Sequence, residues 1–237
     1  MMYAFYDTVS GRRFNGGTAR RGIFPFPDRY RKACKAAQNT VYLDTECFLI
    51  MARKNFGAKP YTYPQPVLIV AAYGENDVPS AMNAAWGGIS DYKEISMDLS
   101  KGHKTVKDLR ARGAFTVSMG TRAQMVACDY VGLVSGNKVP DKVAKAGWHT
   151  VKSEFVDAPL IQELPLALEC RVLSYDEETG VLKGEIVNVS ADTSILDKDG
   201  NVDVKKLEPI TFDPFNNKYI ALGDVIGDAF QSGLALK

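Results

Sequence analysis

The first segment with side chains suited to binding a ligand is Leu99–Leu109, LSKGHKTVKDL. The pattern predicts the end of a strand, a tight reversal at Gly102 and a helix that begins near Thr105. The N–H groups of a first helical turn lack intrahelical partners and the helix dipole is positive there, so a phosphate binds well. His103 and Lys104 would add a donor and a charge, and Thr105 a hydroxyl. The segment is a candidate anion site.

The same segment has a second interpretation that needs no ligand. Residues 105–108, TVKD, match the Thr-x-x-Asp form of a capping box. In such a box Thr105 and Asp108 would satisfy the helix's own unpaired donors. The two interpretations are partly compatible, because a capped helix still presents other N–H groups.

The segment 80–90, SAMNAAWGGIS, raises a different question, because it follows an apolar strand and yet offers little bulk. It places a carboxamide, Asn83, and an indole, Trp86, beside Ala84 and Ala85. Since voids in a packed core are costly, small residues here indicate that something else fills the space. A planar heteroaromatic ring with a phosphate tail would fill it, with Asn83 bonding its polar edge.

Two further segments carry polar groups near predicted turns. In 115–120, FTVSMG, the hydroxyl of Ser118 ends an apolar strand, where it either bonds a ring edge or closes a turn. The segment 127–147 taken alone is typical of a solvated helix–loop–helix. Its polar residues are Asp129, Asn137, Lys138 and Asp141.

The elements that must position these groups are short strands separated by brief helices. Apolar runs and alternation predict strands in PVLIVAAYGE, EISMDLS, AFTVSMG and ITFDPFNNKYIAL, and a hairpin around EETG that joins LALECRVLSYD to VLKGEIVNVSAD. Helices are predicted in TVKDLRAR, in residues 122–134, in DKVAKAG and in the terminal GDVIGDAFQSG. This order predicts a mainly β fold with short helices (α+β), arranged as an antiparallel barrel with helical insertions.

Several of these segments, in the same order, resemble the flavin reductase-like FMN-binding proteins, and among them most closely the flavoredoxins. The segments are PVLIVAAYGENDVPSAMNAAWGGIS, ISMDLSKGHKTVKDL, FTVSMG, ACDYVGLVSGNKVPDKVAKAG, SEFVDAPLIQELPLALECRV and GEIVNVSAD. The resemblance runs from about Met51 to Lys237. It implies an FMN-binding split β-barrel of Greek-key type that forms a homodimer and binds FMN without a covalent bond, at or near the dimer interface.

The resemblance also implies site residues. Asn83, Ala84, Ala85 and Trp86 would line the isoalloxazine ring, His103, Lys104 and Thr105 would hold the phosphate, and Ser118 with Met119 would complete the pocket wall. The flavin would carry the redox chemistry, so no catalytic residue is assigned. His149 is a candidate for the nicotinamide side if NADH or NADPH is the electron donor, and Trp148 for shielding the flavin edge.

Three functions are compatible with this resemblance. The first is an FMN-dependent oxidoreductase that passes electrons to or from a redox partner protein. The second is an NAD(P)H:flavin reductase that supplies reduced flavin to a partner, and the third is a non-catalytic flavin-binding protein.

The composition of the chain limits the classes of partner, the metal sites and the cellular location that we expect. A net charge of +1 over 237 residues disfavours nucleic acid as a partner. Two histidines and four cysteines without a C-x-x-C pair disfavour a metal site, and indicate buried, reduced thiols. The sequence has neither an apolar run of about 18 residues nor a signal-peptide pattern, so we expect a cytoplasmic protein without a membrane partner.

The first fifty residues differ from the remainder. They hold eight basic and four acidic residues, which is +4, and leave −3 for the other residues. The sequence predicts that residues 1–50 are an N-terminal extension outside the fold and that 51–237 form the FMN-binding domain. The extension is interpreted as a flexible arm for an anionic partner or membrane, as a targeting segment, or as upstream translated sequence with Met51 as the natural start.

Overall fold

The computed structural model describes residues 41–43, 46–48 and 53–237. The chain divides into two compact units, Met1–Ala58 and Lys59–Lys237. In the first unit, β1 (Val41–Leu43) and β2 (Glu46–Phe48) pair in an antiparallel sense. Most of the predicted extension at 1–50 lies outside the described residues, so its separation from the fold stays a prediction.

The second unit contains the remaining twelve strands of the described residues. They are β3 (Gln65–Pro66), β4 (Leu68–Tyr73), β5 (Pro79–Ala84), β6 (Gly87–Asp91), β7 (Glu94–Asp98), β8 (Ala114–Met119), β9 (Thr150–Lys152), β10 (Pro159–Ile161), β11 (Leu166–Tyr175), β12 (Val181–Ala191), β13 (Ile210–Asp213) and β14 (Lys218–Ala221).

Four short α-helices and three 3-10 turns complete the described part of this unit. The helices are α1 (Lys104–Arg112), α2 (Met125–Leu133), α3 (Lys142–Lys145) and α4 (Val204–Leu207). The 3-10 turns are Glu75–Asp77, Thr193–Ile195 and Ser232–Leu236.

Seven strands form one antiparallel sheet in the order β5-β4-β8-β11-β12-β7-β6. The long strands β11 and β12 pair with register shifts at Glu169/Cys170 and Val172/Ser174, and such irregularities bend a sheet. A three-stranded sheet, β14-β13-β3, and the β9–β10 hairpin lie outside it. The predicted mainly β architecture with short helices is confirmed.

The sequence of β4 is an unbroken apolar run because both faces of this strand are buried. Its successive side chains point to opposite faces, and both faces are covered. Leu68, Val70 and Ala72 join one core, while Ile69 and Ala71 join a second. Helix α1 covers the first core and helix α2 the second, so the segments that flank these helices meet close to β5.

The EETG hairpin is confirmed, whereas the predicted terminal helix is wrong. In the hairpin, the Asp176 carboxylate accepts the N–H groups of Glu178 and Thr179, and Gly180 takes a φ of +81°. Residues 222–237 are exposed and contain only the turn Ser232–Leu236. A short helix needs a packed apolar face, and this segment has no core to pack on.

Candidate functional site

Two adjoining cavities lie where β5, α1 and α2 meet. The wide cavity has a volume of about 350 Å³ and the narrow cavity about 210 Å³. They share one wall, which is formed by Met82, Asn83, His103, Gly132 and Leu133. Together they form one candidate site with two adjoining compartments.

The wide cavity is lined mostly by small and apolar groups. All four residues predicted to line a ring, Asn83, Ala84, Ala85 and Trp86, lie in its wall. Trp86 remains 47% exposed, so the cavity is open on the indole side. The rest of its wall comes from Met82, Asp98, Leu99, Ser100, His103, Asp129, Gly132, Leu133, Phe212 and Tyr219.

Hydrogen bonds fix the polar side of the wide cavity. Asn83 Nδ2 donates to the carbonyl oxygen of Cys128 at 3.1 Å. The Tyr219 hydroxyl donates to Asp129 Oδ1 at 2.7 Å and joins β14 to α2. Burial, and then the carboxylate of Asp129, raise the pKa of Tyr219, so this phenol stays protonated.

Glycine at position 132 lets α2 approach β5. A Cβ atom added to Gly132 would lie 3.0 Å from Asn83 Cβ. That distance is shorter than ordinary van der Waals contact. Any larger residue would push the helix away from the strand and reshape the wall that the two cavities share.

The narrow cavity is basic. Its lining includes two lysines, Lys104 and Lys142, together with the hydroxyl-bearing Thr105 and Ser135, and no carboxylate. Gly136 keeps the two lysine chains close, since a Cβ atom there would lie 3.2 Å from Lys104 Cβ. A space lined by two lysine side chains and hydroxyl groups is suited to an anion.

Helix α1 places its N-terminus at this cavity, but without the expected capping box. His103 is the N-cap, and its side chain makes no capping hydrogen bond. The Asp108 carboxylate instead accepts hydrogen bonds from Lys104 Nζ at 2.7 Å and from the Ser80 hydroxyl at 2.6 Å. The capping-box prediction is therefore wrong, and the first-turn N–H groups keep no side-chain cap.

Lys142 is the most buried cation of the site, at 4% exposure. Its Nζ donates to the carbonyl oxygens of Val131 and Val134, both at 2.8 Å. These carbonyls belong to the end of α2, where the helix dipole is negative. Burial lowers the pKa of Lys142 to about 8, while partial desolvation and the charge of Lys142 lower the pKa of His103.

Ser118 and Met119 line neither cavity. Ser118 lies in β8 opposite Ile69 and Ala167, and its buried hydroxyl has no hydrogen-bond partner among the described residues. Met119 packs against the first core. Their role in a pocket wall stays a prediction.

Trp148 and His149 also lie outside both cavities. Trp148 is buried, and its Nε1 donates to Gln124 Oε1 at 2.9 Å. His149 is largely exposed, with Nδ1 2.7 Å from Glu163 Oε1. Their proposed roles beside a nicotinamide and a flavin edge stay predictions.

The residues of the site that sequence reasoning missed include Lys142, Phe212 and Tyr219. Lys142 stands in the VPDKVAKAG stretch, where apolar neighbours were a signal that a lysine could be buried. Phe212 and Tyr219 come from β13 and β14, far along the chain, and only tertiary pairing brings them to α2.

The described residues contain no group of three or more His, Cys, Asp or Glu side chains that could hold a metal ion. Cys128 and Cys170 are buried free thiols, as predicted. Among the helices of the described residues, none has the length and apolar character needed to cross a membrane.

Comparison with solved structures identifies similar proteins. Flavoredoxin of Desulfovibrio vulgaris (Miyazaki F) is 37% identical and covers 77% of this chain and 100% of its own, with a TM-score of 0.73. Flavoredoxin from Methanosarcina acetivorans is 28% identical over 78% of this chain and 100% of its own, with a TM-score of 0.70.

A third structure shares the fold alone. The FMN-binding domain of a flavin reductases-like enzyme from Shewanella baltica OS155 is 19% identical, covers 69% of this chain and 89% of its own, and has a TM-score of 0.63. With these neighbours, the predicted split-barrel fold class is confirmed.

Sequence comparison points the same way. An uncharacterized protein of Aquifex aeolicus (strain VF5) is 34% identical over 83 residues, which are 33% of this chain, and the match spans only 42% of that relative's length. The family model described as flavin reductase like domain matches residues 61–206. The chain belongs to the flavin reductase like domain family.

Proposed function

We propose that this protein is a flavoprotein that binds FMN without a covalent bond and transfers electrons through it. One observation carries the proposal: a wide cavity of mostly small and apolar residues shares a wall with a narrow cavity that is lined by Lys104 and Lys142. This order of shape and charge matches a planar ring followed by a phosphate monoester.

The residues present fit the ring. Ala84 and Ala85 leave space at the end of β5, and Gly132 lets α2 lie close to Asn83. Asn83, whose Nδ2 is held by the carbonyl oxygen of Cys128, would accept a hydrogen bond from a ring N–H through its amide oxygen. Trp86, Leu133 and the other apolar wall residues would cover the ring faces.

The residues present also fit the phosphate. Lys104 and Lys142 supply charge, Thr105 and Ser135 supply hydroxyls, and the uncapped start of α1 supplies N–H groups. Lys142 uses two of its three N–H donors on α2, which leaves one for a phosphate oxygen. Charge-assisted bonds of this kind are about twice as strong as neutral ones.

A bound flavin would accept and release electrons, while the protein would position the ring and set its electrostatic surroundings. Two relatives are named flavoredoxins, and a third structure is named as an FMN-binding domain of a flavin reductases-like enzyme. Those names support FMN as the ligand of this chain and electron transfer as its role.

We further propose that the protein works as a homodimer. The wall of the wide cavity carries two exposed apolar residues, Trp86 (47%) and Leu133 (77%). A second copy that covered them would bury apolar area and shield the ring. The buried free thiols of Cys128 and Cys170 support a cytoplasmic setting.

The second candidate is an NAD(P)H:flavin reductase. The half-exposed Trp86 favours it, because an open ring cavity leaves room for NADH or NADPH to reach a bound flavin. A redox partner protein as electron donor is the other option, and a flavin-binding protein without redox turnover is the third.

The test is a visible spectrum of the purified protein under anaerobic conditions, before and after addition of NADH and then NADPH. A flavin spectrum that NADH or NADPH bleaches supports the reductase. A flavin spectrum that persists with both donors supports an electron carrier supplied by a redox partner protein, or a flavin-binding protein without redox turnover. A colourless protein that takes up no added FMN contradicts the proposal.

A further inference from the structure

The two cavities differ in the charge of the side chains that line them. The narrow cavity is lined by Lys104 and Lys142, whereas the wide cavity has no lysine or arginine in its wall. Its charged residues are Asp98 and Asp129. The structure thus separates positive charge, at one compartment, from negative charge, at the other.

Asp129 is the carboxylate that the fold holds in place. It lies on the face of α2 that approaches β14, one residue after Cys128, whose carbonyl oxygen holds Asn83. The Tyr219 hydroxyl donates to Asp129 Oδ1 at 2.7 Å. The phenol donates one neutral hydrogen bond, so it orients the carboxylate without cancelling its charge. In contrast, Asp98 ends β7 and is exposed to solvent.

No cation is paired with Asp129 in the described residues. The ion pairs there engage other carboxylates, among them Asp108 with Lys104 and Asp141 with Lys145. Tyr219 also packs its ring against Phe212, with centroids 6.2 Å apart, which fixes the phenol at the cavity wall. An uncompensated charge in a partly desolvated wall acts on neighbouring groups more strongly than it would in water.

We propose that Asp129, oriented by Tyr219, lowers the reduction potential of the flavin held in the wide cavity. The inference rests on the proposed FMN function. Two-electron reduction with uptake of one proton converts the neutral ring into an anion, with the electrons supplied by the reductant and the proton by water. A fixed carboxylate in the wall opposes that added charge, and it therefore weakens binding of reduced FMN relative to oxidised FMN.

The experiment measures FMN affinity first and potential second. Wild type, Asp129→Asn, Tyr219→Phe and the control Asp199→Asn are titrated with FMN, and their circular dichroism spectra are compared. Asp199 lies in an exposed turn and lines neither cavity, so its change removes a charge of the same sign elsewhere. Bound FMN is then reduced with dithionite against reference dyes at pH 7.

Asp129→Asn should raise the affinity for reduced relative to oxidised FMN about tenfold, which is a rise of about 30 mV for two electrons. Asp199→Asn should leave the potential unchanged. Tyr219→Phe keeps the carboxylate but loses the hydrogen bond that orients it, so its potential should rise clearly less than that of Asp129→Asn.

Two results would overturn the inference. One is an unchanged potential in Asp129→Asn that binds FMN normally. The other is an equal rise in Asp129→Asn and Tyr219→Phe, because it would assign the effect to loosening of the wall and not to charge. Failure of the wild type to bind FMN would be a separate result, and would remove the proposed function itself.

Discussion

The ammonium group of Lys142 lies 2.8 Å from the carbonyl oxygen of Val134, just beyond the end of α2. A second bond of the same length reaches the carbonyl oxygen of Val131. One buried cation thus binds the end of the helix that carries Gly132 and Leu133 into the wide cavity, while it lines the narrow one. Lys142 therefore connects the two compartments of the site.

Replacement of Lys142 by Met should distinguish the contribution of the phosphate to FMN affinity from that of the ring. Met keeps the length of the side chain but removes the charge, worth about 1.5–3 kcal/mol for a hydrogen bond to a charged group. FMN affinity should fall tenfold or more, whereas riboflavin, which has no phosphate, should bind within about threefold of wild type. Fluorescence titration of the two flavins measures both values. Equal losses for FMN and riboflavin would show that Lys142 only supports α2.

FMN affinity should also decrease at alkaline pH. The pKa of Lys142 is lowered to about 8 by burial, so the free protein loses this charge as the pH rises through 8. The phosphate has a second pKa near 6 and is a dianion throughout that range. The other titratable groups that line the narrow cavity are His103 and Lys104. His103 has a lowered pKa and is neutral above pH 7.

Titrations at pH 7.0, 8.0, 9.0 and 9.5 test this dependence. We expect constant FMN affinity near pH 7 and a decrease of up to tenfold per pH unit above 8. Riboflavin and the Lys142→Met variant provide controls, and neither should show the decrease. Identical pH profiles for FMN in wild type and Lys142→Met would contradict the assignment.

Lys104 and Asp108 provide a paired test of the anion site. Lys104→Ala should lower FMN affinity about tenfold, because a charge at the phosphate is lost. Asp108→Asn removes the carboxylate that accepts Lys104 Nζ at 2.7 Å but keeps the lysine. It should leave FMN affinity unchanged or increase it. If both variants lose affinity equally, the ion pair serves only to stabilise α1.

The first core offers a stability prediction with a matched control. A Cβ atom on Gly184 in β12 would lie 2.4 Å from Phe115 Cζ, and Phe115 is fully buried. Gly184→Ala should therefore lower the free energy of unfolding by about 1–3 kcal/mol through overpacking. A Cβ atom on Gly88 in β6 meets no atom within 4 Å, so Gly88→Ala should change stability little. Urea denaturation measures both, and equal effects would contradict the packing of this core.

Local patterns in the sequence predict the elements of the fold. The β4 run, the alternation of β7 and the β11–β12 hairpin follow from side-chain periodicity and turn residues, and the structure confirms them. The exposed segment at 222–237 fails as a helix because periodicity does not report whether a surface exists for a helix to pack on.

The site is predictable only in part, because some of its lining residues are brought to the cavities by tertiary packing. Asn83, Trp86 and Lys104 stand in segments whose composition is unusual, so the sequence singles them out. Lys142 and Tyr219 have ordinary neighbours, and they reach the cavities only through the packing of α3 and β14. Asp108 matched a capping pattern, but an ion pair to Lys104 and a bond from buried Ser80 replaced it.

The most direct measurement is a titration of the flavin-free protein with FMN and with riboflavin at pH 7, followed by flavin fluorescence. The site contains two lysines, hydroxyls and a helix start for the phosphate, so we predict FMN to bind at least 100-fold more tightly than riboflavin. Equal affinity for the two flavins, or no binding of either, would contradict the assignment of the wide and narrow cavities to ring and phosphate.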